Sequence, residues 1–127
     1  MTYTAEFREY SSDLIRKCMS ILNGIEEPSK RQELLDIIQN IFAASKMEGH
    51  LDIVLYAEYM MNVSKSLVSG SLKVNNHIKS IIGESLSELD LKFKDHNYVL
   101  NNNIANTLKE ILKNSNKEAR DFVVLKN

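Results

Sequence analysis

The chain has no tryptophan, one proline, four glycines and one cysteine in 127 residues. Proline and glycine are the residues that most often interrupt helices, so their scarcity predicts long helices joined by short turns. The lone cysteine, Cys18, excludes an internal disulfide and any Cys-x-x-Cys motif. It lies among periodically spaced apolar residues, which favours a small buried side chain over a reactive thiol.

An excess of charge of either sign is also missing. Lysine and arginine number 16 against 17 aspartates and glutamates, a net charge of -1, whereas nucleic-acid binders usually carry a basic excess or a basic stripe. No apolar run approaches the roughly 18 residues that a membrane span needs. The first six residues lack the basic and apolar regions of a signal peptide. We therefore expect a cytoplasmic protein with no membrane span and no nucleic-acid partner.

Apolar residues do recur at spacings of three and four, the pattern of amphipathic helices. In the first segment, for example, they include Phe7, Tyr10, Leu14 and Cys18. The five segments with this pattern are approximately 5–24, 29–49, 51–69, 74–91 and 98–114. Such stripes are buried only against one another. The sequence therefore predicts an all-α fold, an antiparallel four-helix bundle with an additional fifth helix.

The predicted bundle spans residues 1–114, and a tail follows at 115–127. Ser29 is the expected N-cap of the second helix, and Gly70 is the expected C-terminal cap of the third. Met47, Met60 and Met61 are interpreted as core filling, with an adaptable binding surface as the alternative. For the apolar tail patch Phe122–Leu125 we leave three interpretations open: an extended helix, an edge strand, or the start of a longer chain.

Catalytic and metal-binding patterns are absent from the sequence. The three histidines, His50, His77 and His96, are never three or four residues apart, the spacing that would build a helical metal site. No glycine-rich phosphate loop and no nucleophile elbow is present. We expect no metal, no cofactor and no enzymatic activity of the chain acting alone.

Three stretches in order nevertheless resemble a known family. They are Phe42–Gly49 (Phe-Ala-Ala-Ser-Lys-Met-Glu-Gly), Ile53–Glu58 and Leu67–Leu72. Together they are similar to the histidine-phosphotransfer domain at the N-terminus of chemotaxis histidine kinases, whose acceptor motif reads Ala-Ala-His-Thr-Leu-Lys-Gly. The resemblance covers about Tyr3 to Asn114. It implies a helical bundle with a fifth helix and a place in two-component signalling.

The departures from this family affect its chemistry. Ser45 occupies the position of the family's phosphoacceptor histidine. Glu48 occupies the position of the lysine that helps to neutralise the phosphoryl group in the family. Met61 and Ser64 stand at the supporting histidine and glutamate of the family's third helix. A serine phosphate ester is far more inert than a phosphohistidine, and Glu48 would repel an incoming dianion. Phosphotransfer at Ser45 is therefore not expected.

The resemblance favours a degenerate phosphotransfer domain that binds a receiver domain or a histidine kinase without relaying phosphate. Its docking surface would consist of Ser45, Lys46, Glu48 and Gly49, with Ser45 facing solvent. One alternative is active phosphotransfer through His50. Another is a structural or oligomerisation bundle that uses Phe122–Leu125 as its contact. A third, a bundle that senses a small ligand between its helices, leaves no mark in the sequence. The oligomeric state and the identity of the partner stay open.

Overall fold

Five α-helices and one short 3-10 turn make up the chain in a computed structural model, which describes the backbone of residues 3–126 and the side chains of residues 3–115. In order they are α1 (Ala5–Ile21), the 3-10 turn (Leu22–Gly24), α2 (Pro28–Glu48), α3 (Leu51–Ser69), α4 (Asn76–Lys94) and α5 (Asn102–Lys126). The predicted all-α bundle with a fifth helix is confirmed. None of these helices combines the length and apolar character needed to cross a bilayer.

The helix starts follow local capping chemistry. The Thr4 hydroxyl accepts a hydrogen bond from the Phe7 N–H at 3.1 Å, and Asn75 caps α4 in the same way. The N-cap of α2 is Glu27, two residues before the expected Ser29, and Pro28 lies in the first turn. Proline suits this position because the first-turn N–H groups have no partner within the helix.

Two glycines end helices in the left-handed conformation. Gly49 follows α2 at φ 75° and Gly70 follows α3 at φ 84°. A residue with a Cβ is strained in this region, which explains glycine at both turns. The turn at Gly49 leads almost directly from α2 into α3, and these two helices pack along most of their lengths.

The remaining helices enclose this hairpin. α1 packs against α2 and α4, whereas α5 packs against α3 and α4. The inner faces meet in one apolar core whose largest fully buried side chains include Leu34, Ile53, Leu86, Phe93 and Leu108. Burying each such side chain contributes about 1.5–3 kcal/mol to folding.

One position on the predicted stripe of α1 is wrong. Tyr10 was expected in the core but is 48% exposed, and the neighbouring Ser11 is fully buried instead. The spacing from Phe7 to Leu14 allows either residue between them. The tertiary packing placed the smaller side chain inside.

The connection between α4 and α5 is held by two buried charged residues. The Glu88 carboxylate accepts hydrogen bonds from the Tyr98 hydroxyl at 2.6 Å and the Asn101 N–H at 2.7 Å. The Lys92 ammonium donates to the carbonyl oxygens of His96 and Tyr98 at 2.6 and 2.7 Å. Since charged hydrogen bonds are the stronger ones, these four contacts fix the loop before α5.

The last helix passes through residue 115 without a break. Ser115 is 2% exposed, and its hydroxyl donates to the Ser71 carbonyl oxygen at 3.3 Å. The backbone of Phe122–Leu125 continues α5, so of the three interpretations of this patch the extended helix agrees with the structure. The side chains of the patch lie outside the described residues.

The glycine at the end of α3 gives a test of this backbone geometry. Replacing Gly70 by alanine should lower the free energy of unfolding by about 1 kcal/mol or more, because a Cβ at positive φ is strained. Urea denaturation measures the change. The matched control is Gly24→Ala, where the added Cβ would lie 3.7 Å from the Lys30 Cγ, an ordinary contact. Equal effects of the two substitutions would contradict the assignment.

Candidate functional site

The residue at the phosphoacceptor position lies in the core. Ser45 is fully buried, and its hydroxyl donates a hydrogen bond to the Ile41 carbonyl oxygen at 2.8 Å. It follows Ile38 and Ile41 at spacings that keep all three on the inner face of α2. The expectation that Ser45 faces solvent is wrong, and Ser45 cannot belong to a docking surface in this fold.

Two other buried serines are bonded in the same way. The Ser64 hydroxyl donates to the Met60 carbonyl oxygen at 2.9 Å, and the Ser85 hydroxyl donates to the Ile81 carbonyl oxygen at 2.7 Å. A serine hydroxyl that donates to the carbonyl oxygen four residues back is hydrogen-bonded within its own helix, so it can be buried without another partner. Ser45 therefore has the environment of a structural serine.

The other three predicted docking residues are exposed. Lys46, Glu48 and Gly49 surround the turn from α2 into α3, and between them Met47 is 89% exposed. Leu51, the first residue of α3, is 69% exposed. We call these five residues the α2–α3 corner. The corner combines two long apolar side chains with one positive and one negative charge.

The prediction that Met47 fills the core is wrong, and its exposure agrees with the alternative of a binding surface. Met60 is 1% exposed and Met61 is partly buried, so the interpretation holds for Met60 and partly for Met61. Met47 lies two residues after Ser45, a step of about 200° around a helix at 3.6 residues per turn. Once Ser45 is known to face the core, Met47 must face away from it.

A shallow groove continues from the corner along α1 and α2. It has a volume of about 240 Å³ and is lined by Phe7, Tyr10, Ala44, Met47 and Glu48, among others. Tyr10, displaced from the core, forms one wall of it. The exposed apolar surface at this end of the bundle therefore extends over three helices, with Tyr10 on α1, Met47 on α2 and Leu51 on α3.

His50, the alternative phosphoacceptor, is packed among aromatic rings. It occupies the N-cap position of α3, with its ring centroid 4.1 Å from that of Tyr3 and 5.4 Å from that of Phe7. Its Nε2 atom is buried and has no hydrogen-bond partner among the side chains that are described. In this conformation, Nε2 is closed to an incoming phosphoryl group.

The other two histidines are separated from α2. His77 is exposed in the first turn of α4, and His96 is partly buried just after that helix ends. Pro28–Glu48 itself contains no histidine, so no shift of register along α2 would present an imidazole there.

Two further kinds of site are also unsupported by the geometry. Cys18 is fully buried, and this burial raises the pKa of its thiol to about 12. Within residues 3–115, no three histidine, cysteine, aspartate or glutamate side chains come together as metal ligands would.

Comparisons with models of protein families, with curated proteins and with solved structures give no match. The likeness to phosphotransfer domains stays a prediction from the quoted residues.

The burial of Ser45 predicts how a carboxylate is tolerated at this position. Ser45→Asp should destabilise the fold by about 3 kcal/mol or more, because it buries an unpaired charge. Ala43→Asp, at an exposed position of the same helix, should cost only about 0.5–1 kcal/mol from helix propensity. Chemical denaturation of both variants makes the comparison, and a mild effect at Ser45 would show that it faces solvent.

The buried thiol predicts slow chemical modification. In the folded protein Cys18 should react with a thiol reagent such as dithiobisnitrobenzoate only when the bundle opens, since it is neither accessible nor ionised at neutral pH. The rate should rise steeply as urea approaches the unfolding midpoint. Fast, urea-independent labelling would contradict the position of Cys18 in the core.

Proposed function

We propose that this chain is a protein-binding helical bundle that lacks a phosphoacceptor and docks its partner through the α2–α3 corner. The observation that carries the proposal is the exposure of Met47 and Leu51 on either side of the turn at Gly49. As the phosphotransfer resemblance implies, the partner would be a receiver domain or a histidine kinase of a two-component system.

The apolar character of the corner supports binding to a protein. Methionine is enriched at protein interfaces, and its flexible side chain adapts to different partner surfaces. Clusters of large exposed apolar residues are uncommon on monomeric proteins and mark interaction sites. The adjoining groove beside Tyr10 gives a partner a concave surface next to the protruding Met47.

The electrostatics of the corner disfavour a phosphoryl group. The carboxyl end of a helix carries a partial negative charge, and the corner lies at the end of α2. Glu48 adds a full negative charge there. Lys46 supplies one positive charge, and its ammonium lies 5.8 Å from the centroid of the Phe42 ring. Lys46 and Glu48 would therefore select the orientation of a protein partner and would not hold a phosphate.

The alternatives have less support in the geometry. Transfer through His50 requires its ring to leave the packing against Tyr3 and Phe7. An oligomerisation role for Phe122–Leu125 concerns side chains outside the described residues. Measuring the mass in solution of a chain that ends at residue 115 distinguishes this oligomerisation role from binding through the corner.

The experiment measures binding of the full chain to the receiver domains and histidine kinases encoded in the same genome, by calorimetry. Met47→Asp should weaken the complex at least tenfold, because it places a charge in the apolar centre of the interface. The matched control is Met19→Asp, since Met19 is 37% exposed near the other end of α1. Equal effects of the two substitutions, or no binding at all, would refute the proposal.

A second arm tests the absence of phosphate relay. The chain is incubated with an active histidine kinase and labelled ATP, and we expect no acid-labile phosphate on it. If the chain does carry acid-labile phosphate, and the His50→Gln variant does not, the proposal is wrong and the chain transfers phosphate through His50.

A further inference from the structure

A second concave surface lies between α3 and α5. It is a cleft of about 370 Å³ between α3, the loop before α5 and the first two turns of α5. Its volume falls within the range of small-molecule sites, about 300–1,000 Å³. None of its lining residues belongs to the α2–α3 corner.

The walls of the cleft are aromatic and apolar. Three of the five tyrosines in the chain line it: Tyr56 and Tyr59 from α3, and Tyr98 from the loop. Leu55 and Val99 stand at its surface, 46% and 81% exposed. A flat apolar body would find rings to stack on and aliphatic side chains to cover it.

The loop wall is held in place before any ligand arrives. Lys92 is bound to the carbonyl oxygens of His96 and Tyr98 and lies 3.2 Å from an Asp52 carboxylate oxygen. Both Glu88 oxygens are taken by the Tyr98 hydroxyl and the Asn101 N–H. These charged groups therefore compensate one another and position Tyr98, and they are not offered to a ligand.

One positive charge in the cleft is not compensated. The Lys109 ammonium lies 5.0 Å from the centroid of the Tyr59 ring, and Lys109 is in no salt bridge among the side chains of residues 3–115. Asn102 and Asn106 of α5 also line the cleft. Since Lys92 and Asp52 are paired with each other, Lys109 leaves the cleft with one uncompensated positive charge. This charge is complementary to an anion.

The inner wall of the cleft is formed by Tyr56, which is 4% exposed. Its hydroxyl oxygen is fully buried near Ser85 and Glu88 of α4, out of reach of a molecule in the cleft. Burial, followed by the charge of Glu88, raises the pKa of Tyr56 well above its usual range, so the residue stays uncharged. Tyr56 therefore contributes an aromatic ring to the wall and no charge.

From these observations we infer that the α3–α5 cleft binds a small aromatic carboxylate. Its ring lies against Tyr59 and Tyr98, and its carboxylate is held by Lys109.

The test is a titration of the ¹⁵N-labelled full chain with 2-naphthoate, followed by backbone amide shifts. Saturable shifts are expected at residues 55–59 and 102–109. The uncharged analogue 2-naphthamide should bind more weakly. Shifts centred on Tyr10 and Met47, shifts scattered over the surface, or no saturation at millimolar concentration would overturn the inference.

Two variants separate charge from shape. Lys109→Met should weaken naphthoate binding about tenfold, the size of one charge-assisted hydrogen bond, and leave naphthamide binding unchanged. Lys113→Met, at an exposed position one turn further along α5, is the matched control and should change neither. Ala105→Leu fills the cleft and should abolish binding of both probes while the helical circular dichroism is retained. Equal losses in Lys109→Met and Lys113→Met would refute a specific carboxylate site.

Discussion

The apolar faces of five amphipathic helices can be buried only against one another. The positions of the remaining side chains follow from that packing. The hairpin of α2 and α3 shows this most directly. Ile38 and Ile41 must point inward, and the helical period then carries Ser45 inward as well. The same rotation turns Met47 outward. The core packing of α2 therefore decides which side chains near its end are available to a partner.

The buried serines illustrate how the core accepts polar groups. In Ser45, Ser64 and Ser85 the hydroxyl bonds to a carbonyl of its own helix, so burial leaves no unmade hydrogen bond. Ser11 and Tyr56 differ, because their buried hydroxyls have no partner among the residues described. The ring of Tyr56 lines the α3–α5 cleft, and its hydroxyl lies near Ser85 of α4.

The two proposed surfaces meet on α3. Leu51 belongs to the corner and Leu55, one turn later, lines the cleft, so a nearly continuous strip of exposed apolar side chains joins them. The two surfaces differ in charge: the corner carries both signs beside the carboxyl end of α2, whereas the cleft carries Lys109, unpaired among residues 3–115, in addition to the Lys92–Asp52 ion pair. This difference is why we assign a protein partner to the first and a small anion to the second.

Helix number and type, and the approximate bounds of the first four helices, were determined by the sequence, because spacings of three and four between apolar residues depend only on the local period of the helix. The fifth helix begins about four residues later and ends about twelve residues later than its predicted segment. Gly70 marked the end of α3 correctly for an equally local reason. Local pattern did not decide between Tyr10 and Ser11 for the core, nor did it show that Ser45 is buried and Met47 exposed. Local pattern could not predict the cleft at all, because Tyr59, Tyr98 and Lys109 come together only when α5 packs on α3. Those outcomes depend on how helices distant in sequence rotate against one another, and only the tertiary structure fixes that rotation.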